Sequence, residues 1–549
     1  MPNEISPLST VALAVVLMLH AHAADLGPMH NFDGDLSFRG ATPEASVIKL
    51  KELIDNEAKL PVKTVCWSIG AGSDILYYPT KVASTWGWRH TKYSDDPAWK
   101  TRIEKCRIAT EAGLDAPRIV GERLHERGLK FVPSYRMNDG HFTSDPLEYP
   151  LTGRFWMEHQ DATIGTSPVA AFAGYKHLLN YARDEVRAYR LAVIFEAMDR
   201  YADLMDGFEL DFNRFQIFFP PGEAQRGAPL ITEMVKEVRA RLDDCAAKQK
   251  RAMSLIVRVP PSLKNCAWSG LEVEKWMQQR LVDVVIPSPL MTLSHDMPID
   301  EFVRIAKPAG VQVVGSIYGR GGYVWPFVAN HDTVAYSKEV TRDPDTAQVL
   351  GSILNQRQLG ADGIQLFNFS FPAFSVPMVA AINAGLTREH LGDRRYQITQ
   401  SYFHDSEDSY EYRKQLPVAL KSAETTKLRL LIGEDLAKAE PGYVGLRLGL
   451  SGANKAFAPL AMRVSINSHA FHEGDVAKQL VVTTGKRHGN GSHPPPTEAC
   501  VQWPVVELSQ LQAGWNDLEV TLLATSLTKP LQLVEAEIGV IASSSLRAP

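Results

Sequence analysis

The chain has 549 residues, of which 45% are hydrophobic and 22% are charged, and its formal net charge at pH 7 is -5. This length is too great for one ordinary domain, and the composition is typical of a globular protein with two or three domains. Basic residues are scattered along the sequence, which argues against nucleic acid as a partner because phosphate binding needs a basic patch.

The first 23 residues are typical of an export signal. An apolar run at positions 9–20 precedes Ala21-His22-Ala23, which fits the small-x-small pattern of a cleavage site. The run is preceded by Glu4 and by no Lys or Arg, so the alternative is a buried apolar segment of the fold. No other run is long enough to span a bilayer. We therefore predict a secreted or periplasmic protein that does not have a membrane as a partner.

Cysteine usage indicates neither a disulfide scaffold nor a metal centre. The five cysteines are few and scattered, at Cys66, Cys106, Cys245, Cys266 and Cys500. They show no C-x-x-C spacing, and the sequence has no H-E-x-x-H pattern, so we expect no metal and no other cofactor. One or two disulfides stay open, and the sequence gives no prediction of the oligomeric state.

Strand-like and helical stretches alternate between residues 25 and 390, which predicts a parallel α/β architecture. The strand-like stretches cover residues 29–35, 62–68, 129–136, 205–215, 253–259, 282–287, 311–318 and 363–369. Eight strands with helical connections predict a (β/α)8 barrel with enlarged loops. The alternative is an open doubly wound sheet, but the Gly-rich phosphate fingerprint that often follows its first strand is absent.

The alternation of strand-like and helical stretches ends after residue 390. A charged stretch at 391–424 is predicted to be a connector, and short strand-like runs without helical period follow it. These runs cover residues 427–432, 444–450, 462–467, 480–484, 501–508, 518–523 and 531–541. They predict a β-sandwich over residues 425–549 that packs on the barrel and stabilises it. Trp503 is expected in its core and Trp515 at an exposed turn.

The stretch 205–215 is the most informative part of the sequence. An Asp-Gly turn leads into residues that alternate between the two faces of a strand, with Glu209, Asp211 and Asn213 on one face. Two carboxylates and an amide cannot lie on one face in an apolar core without partners. They are either paired with cations or line a polar cavity at the carboxyl end of a barrel strand, where catalytic groups collect.

Other polar and aromatic residues lie near the carboxyl ends of the predicted strands and would reach the same pocket. Besides Asn31, the candidate substrate-binding residues are Asp33, Trp67, Arg136, Asn138, Asp139, His141, Arg258, Tyr318 and Asn368. The loops add the aromatic residues Tyr77, Tyr78, Trp86, Trp88 and Trp325. Acids with amides, arginines and exposed aromatic faces suit a carbohydrate, because carboxylates do the proton chemistry and rings stack on sugars.

Glu209 and Asp211 are the candidate catalytic pair. Alternate residues on a strand have Cα atoms about 6.5–7 Å apart, so both carboxylates would reach one glycosidic bond. Glu209 would be the general acid, kept protonated by the neighbouring charge, and Asp211 the nucleophile or the electrostatic stabiliser. Retaining and inverting outcomes both stay open. The alternative for either residue is a structural acid paired with Arg136, Arg214 or Arg258.

The residues 206–213, with the sequence DGFELDFN, resemble the D-G-x-(D/E)-x-D strand of glycoside hydrolase-like barrels. These include the chitinase-type families and the bacterial family 10-like glycosyl hydrolases. Asn213 stands where the chitinase pattern keeps its proton-donating glutamate. The resemblance implies a glycosidase with a carbohydrate substrate, and it does not identify the sugar.

Two other classes of function fit the same residues. A carbohydrate-binding protein whose barrel has lost turnover is suggested by Asn213 and by the lack of a carboxylate on the seventh strand. A polysaccharide lyase or dehydratase would use Tyr318 or His141 as its base.

Overall fold

The computed structural model describes residues 26–34, 37–168, 170–289, 293–319, 336–338, 344–369, 375–398, 415–452, 462–471, 478–484, 499–523 and 531–545. The predicted export signal and Trp325 lie outside these residues. The chain divides into unit 1, which is Met1–Val259, Cys266–Ile286 and Ile305–Gln312, and unit 2, which is Pro260–Asn265, Pro287–Arg304 and Val313–Pro549. No helix within the described residues has both the length and the apolar character needed to cross a membrane.

Eight parallel strands close into a barrel, as predicted. The strands up to residue 367 are β1 (Met29–Phe32), β2 (Thr64–Ser68), β3 (Gly70–Ala71), β4 (Ile75–Leu76), β5 (Ser84–Thr85), β6 (Lys130–Arg136), β7 (Gly207–Asp211), β8 (Ser254–Val259), β9 (Val284–Pro287), β10 (Gln312–Tyr318), β11 (Tyr336–Lys338) and β12 (Gly363–Phe367). The barrel order is β1, β12, β10, β9, β8, β7, β6, β2. Because the sheet closes on itself, the alternative of an open doubly wound sheet is wrong.

Several of the described helices begin directly after a residue whose side chain caps the first turn. The described helices are α1 (Pro43–Glu57), α2 (Pro97–Glu111), α3 (Ala116–Glu126), α4 (Arg154–Glu158), α5 (Asp184–Tyr201), α6 (Ala224–Gln249), α7 (Leu263–Trp268), α8 (Val273–Gln278), α9 (Ile299–Ala309), α10 (Thr346–Gln358) and α11 (Val376–Thr387). Thr42, Asp96, Asp115 and Asp345 each accept a hydrogen bond from a backbone N–H of the first turn that follows. Helix α2 was not predicted, because its buried face is limited to Ile103, Cys106 and Ala109 and gives a weak apolar period.

The register of the central strands sets the geometry of the polar residues. Strand β7 lies between β6 and β8, and Glu209 is paired with Ser134 on one side and Ile256 on the other. Two residues further on, Asp211 is paired with Arg136 and Arg258. All residues of β7 and β8 are buried.

Two sheets in unit 2 confirm the seven strands predicted after residue 424. The strands are β13 (Arg394–Gln397), β14 (Val418–Leu420), β15 (Thr425–Ile432), β16 (Tyr443–Ser451), β17 (Met462–Ile466), β18 (His469–Ala470), β19 (Lys478–Thr484), β20 (Ala499–Pro504), β21 (Gly514–Leu522) and β22 (Leu531–Ile541). One sheet has the order β11, β19, β20, β16, β22, β13, with β14 also paired to β22, and the other has the order β15, β21, β17, β18. Strands β13 and β14 lie within the stretch predicted as a connector.

The core of unit 2 joins the two sheets to helix α10. Leu350 and Leu354 of this helix belong to the same cluster of buried apolar side chains as Leu446 and Leu518 of the sheets. Trp503 is also in this core and is 2% exposed, as predicted. Trp515 is half-buried, with the Arg429 guanidinium 4.8 Å from the centre of its ring.

Candidate active site

Glu209 is fully buried and is held by groups from two other strands of the barrel. Its Oε1 accepts hydrogen bonds of 2.6 Å from the side-chain amide of Asn31 on β1 and of 2.6 Å from the hydroxyl of Ser134 on β6. Because both donors point at one oxygen, they fix the orientation of the carboxyl group. This is the kind of support that a catalytic carboxyl group needs.

Asp211 forms a buried ion pair with Arg258, which lies beside it on β8. The Arg258 Nη2 atom is 2.5 Å from Asp211 Oδ2, and the two side chains are 0% and 1% exposed. The other oxygen, Oδ1, accepts a hydrogen bond of 3.0 Å from the backbone N–H of Asn213. Arg214 Nε is a further 4.0 Å neighbour of Oδ2. Pairing with Arg258 was one of the structural alternatives for this acid.

A second polar group connects the ends of β1 and β6. Arg136 donates hydrogen bonds of 2.8 Å to Asp33 Oδ1 and of 2.8 Å to Asp139 Oδ2. Arg214 also contacts Asp33 Oδ1. The Asp33 side chain is 35% exposed while those of Arg136 and Arg214 are 7% and 8% exposed, so within this group Asp33 faces solvent and the arginines do not.

Asp139 carries His141 at the edge of this group. Asp139 Oδ1 accepts hydrogen bonds from the backbone N–H and from the Nδ1 side of the His141 ring. The His141 side chain is 46% exposed, whereas that of Asp139 is fully buried. Burial raises the pKa of Asp139, but the charges and hydrogen bonds of His141 and Arg136 outweigh it and hold the pKa below its usual value. Asp139 is therefore a buried anion that orients an exposed imidazole.

Asn213, which the sequence resemblance aligns with the chitinase glutamate, is buried. Its side-chain oxygen accepts a hydrogen bond from the Gln216 amide nitrogen. Within the described residues, no group of three or more His, Cys, Asp or Glu side chains is arranged to hold a metal ion.

Trp67 and Asn138, which were also predicted to bind substrate, make their contacts within the protein. Trp67 is fully buried and stacks on Phe32, with ring centres 4.6 Å apart and planes within 5°. Asn138 donates hydrogen bonds of 3.1 Å to the carbonyl of Leu179 and of 2.6 Å to that of Ile217, and so ties two loops together. Contact of either side chain with substrate stays a prediction.

The loop aromatics differ from the expectation of exposed faces. Tyr77, Tyr78 and Trp86 are 2%, 0% and 1% exposed, so for these three the expectation is wrong. They form the core of the enlarged loop instead: Tyr78 donates to Glu196 and Trp86 lies under the Arg102 guanidinium. A loop of this length needs an apolar core of its own, and aromatic side chains supply it.

Tyr318 and Asn368 form a separate pair in unit 2. Asn368 donates a hydrogen bond of 3.1 Å to the Tyr318 hydroxyl, and Tyr318 is 1% exposed. Asn368 follows the end of β12 with φ of 54°, a left-handed conformation that asparagine tolerates better than most residues.

Ser134 was missed by the sequence reasoning. It is a small polar residue within an apolar strand, two positions before Arg136 and therefore on the same face. That spacing is the signal from which it could have been found. The contact with Glu209 depends on the register between β6 and β7, which the sequence does not reveal.

Comparison with known proteins gives similarity of fold at very low identity. No family model and no curated protein matches the chain. The chitinase ChiW from Paenibacillus sp. is 12% identical over 66% of this chain and 32% of that chain, with a TM-score of 0.37. A chitinase from Chromobacterium violaceum is 12% identical over 66% of this chain and 99% of that chain, with a TM-score of 0.33. A bacterial fucosidase is 9% identical over 92% and 93%, with a TM-score of 0.34.

This chain spans about a third of the length of ChiW. TM-scores of this size carry no argument about activity, so the assignment of the fold depends on the strand pairing described above. The chain contains a closed eight-stranded parallel barrel, and the three solved proteins compared above are two chitinases and a fucosidase.

Proposed function

We propose that this protein is an exported glycoside hydrolase that acts on a poly- or oligosaccharide by carboxylate chemistry. The observation that carries the proposal is the buried Glu209, whose Oε1 is held by Asn31 and Ser134 beside the Asp211–Arg258 ion pair. A carboxyl group fixed in this way, two residues before the carboxyl end of a barrel strand, is suited to deliver a proton to a leaving-group oxygen.

In this proposal Asp211 is the electrostatic stabiliser. Both of its oxygens accept hydrogen bonds, one from Arg258 and one from the backbone of Asn213. The close ion pair with Arg258 neutralises much of the charge of this carboxylate, which makes it a weaker nucleophile. A fixed negative charge next to Glu209 would instead favour a positively charged transition state without moving.

The solvent-facing members of the second polar group would bind the sugar. Asp33 is held by two arginines and His141 by Asp139, so that each presents an oriented polar side chain. Oriented acceptors and donors of this type bind hydroxyl groups at low entropic cost.

The proposal is tested with separate Glu209→Gln and Asp211→Asn variants, checked for folding by circular dichroism. We expect each to lose at least about a hundredfold in rate of reducing-end release from a polysaccharide panel. The matched control is Glu233→Gln, an exposed carboxylate paired with Lys236 on α6, which should keep full activity. Full activity in both barrel variants would contradict the assignment.

A second candidate, a polysaccharide lyase, is favoured by one observation. His141 is half-exposed and its ring is oriented by the buried Asp139, an arrangement that suits a general base. A lyase leaves an unsaturated sugar, so ultraviolet absorbance should rise on uronic-acid polymers and fall away in His141→Gln. Retention on insoluble glycan without product would instead indicate a binding protein.

A further inference from the structure

A cavity of about 340 Å³ lies beside the loop that follows β7. Its walls come from residues 216–222, 224–225 and 267–269, and from Pro168. Neither Glu209 nor Asp211 lines it. The volume is that of a small-molecule pocket and is sufficient for one sugar ring.

Two polar atoms at this cavity are buried without a hydrogen-bond partner among the described residues. They are the side-chain oxygen Oε1 of Gln216 and the hydroxyl of Ser269. The Gln216 amide nitrogen donates a hydrogen bond to the side-chain oxygen of Asn213. The nitrogen of this amide therefore has a partner, and its oxygen Oε1 is the acceptor that remains. Buried polar groups are seldom left unpaired, and a ligand with hydroxyl groups would pair both.

Apart from the exposed Gln225, the rest of the lining is apolar or aromatic. Phe218 and Phe219 are buried, and Trp268 is half-buried. Among the described residues that line the cavity, none carries a charge. Aromatic side chains with a few polar groups bind ligands that have one apolar face and a hydroxyl-bearing rim. The lining therefore favours a neutral sugar over a uronic acid.

A chain of hydrogen bonds connects this cavity to the acidic strand. Gln216 donates to Asn213, and the backbone N–H of Asn213 donates to Asp211 Oδ1. A ligand bound to Gln216 would thus contact the segment that follows β7 directly.

We propose that this cavity, called here the Gln216–Ser269 cavity, is a binding site for one ring of a neutral oligosaccharide. The ring stacks its apolar face on Trp268 and directs hydroxyl groups to Gln216 Oε1 and Ser269 Oγ. The choice of ligand class rests on the proposed glycosidase function, whereas the binding itself does not require turnover.

The test is calorimetric titration of the full-length Glu209→Gln protein with N-acetylchitotriose, maltotriose and cellotriose, and with trigalacturonate as the charged probe. We expect at least one neutral trisaccharide to bind and trigalacturonate not to bind. Trp268→Ala should raise the Kd of the bound trisaccharide at least about tenfold, and Ser269→Ala about three- to tenfold. Ala267→Phe, which adds bulk to an exposed lining position, should block the cavity and abolish binding.

Trp515→Ala removes a half-buried tryptophan far along the sequence and should leave the Kd unchanged. Binding that survives both Trp268→Ala and Ala267→Phe would overturn the inference, as would the absence of binding by all three neutral trisaccharides. Wild-type activity separates the two proposals. If Trp268→Ala loses binding and the wild type shows no turnover, the cavity proposal is supported and the hydrolase proposal is contradicted. If the wild type does show turnover, and Trp268→Ala leaves both Kd and KM unchanged, only the cavity proposal is contradicted.

Discussion

At the scale of single residues, the Asp211–Arg258 pair differs sharply from the ion pairs on the helix surfaces. Its two side chains are 1% and 0% exposed, whereas Arg107 and Glu111 on α2 are 44% and 61% exposed at a similar separation. Exposed pairs are weakened by water and salt and contribute little to stability. In a buried pair both charges have lost their contact with water, and their mutual attraction offsets that cost. Removal of one partner leaves the cost of the other charge without this attraction, so it destabilises the protein far more than removal of both.

We therefore expect Arg258→Met to lower the free energy of unfolding by about 3–5 kcal/mol, because the buried Asp211 loses its closest cationic partner. The midpoint of urea denaturation measures the change. The double variant Arg258→Met/Asp211→Leu should recover most of the loss, and Arg107→Ala should change stability by about 0.5 kcal/mol or less. Equal stability of the single and double variants would show that Asp211 tolerates burial alone.

The buried imidazole of His295 should make the stability of the protein depend on pH. Burial, together with the positive charge of Arg395, lowers the pKa of His295 from 6.5 to about 3. The folded protein keeps this imidazole neutral while the unfolded chain takes up a proton below its ordinary pKa. Stability is thus fully present above pH 6.5 and falls as the pH drops from 6.5 towards 3.

The expected loss from this one group is about 2 kcal/mol between pH 7 and pH 5. Unfolding free energies measured across that range for the wild type and for His295→Gln should differ in slope, with the variant less sensitive to acid. Identical slopes would mean that His295 is not kept neutral in the folded protein.

At the scale of elements, helix α10 lies unusually close to strand β13. A Cβ atom added at Gly351 in the middle of the helix would lie 1.9 Å from the carbonyl oxygen of Arg395. The contact is with backbone, which cannot rotate away as a side chain can. Asn355, one turn further on, donates a hydrogen bond of 3.1 Å to the carbonyl of Leu431 at the end of β15. Helix α10 is thus fastened to both sheets.

Gly351→Ala should therefore destabilise the protein by about 1–3 kcal/mol, even though alanine is the better helix former. Gly392→Ala is the control, because a Cβ there meets no atom of the described residues within 4 Å, and it should stay within about 0.5 kcal/mol. Thermal melting of the two variants compares them. An increase in stability for Gly351→Ala would show that helix propensity outweighs the close approach.

At the scale of the whole molecule, the C-terminal sheets share one apolar core with a helix that precedes them in sequence. Leu350 and Leu354 of α10, and Ala384 of α11, are buried in the cluster that also contains Leu446 and Leu518. Removing the sheets would return these helix side chains to water, at about 25 cal/mol for each Å² of apolar surface.

Truncation after Arg388 tests this dependence. We expect residues 1–388 to express poorly or to melt at a clearly lower temperature than the full chain, because the core that covers α10 is missing. Differential scanning calorimetry and reducing-end assays on both forms give the answer. A truncated chain with the same melting temperature and full activity would contradict a supporting role for the sheets.

The sequence by itself determined the kind and order of the barrel strands and of seven later strands, although it did not reveal helix α2 or strands β13 and β14. Parallel strands buried on both faces are near-continuous apolar runs, and a polar face that interrupts such a run at Glu209 and Asp211 is visible without coordinates. Capping residues such as Thr42 and Asp345 likewise mark helix starts, because their effect is local. All eight barrel strands and the seven later strands followed from such local patterns.

Only the tertiary structure decided how each polar group is used. Register between strands brought Ser134 to Glu209 and Arg258 to Asp211, and no local pattern encodes register across a long crossover. Burial turned Tyr78 and Trp86 from candidate stacking surfaces into the core of a loop, since an aromatic ring suits either place. The cavity beside Gln216 also depends on segments more than forty residues apart, so it exists only once the chain has folded.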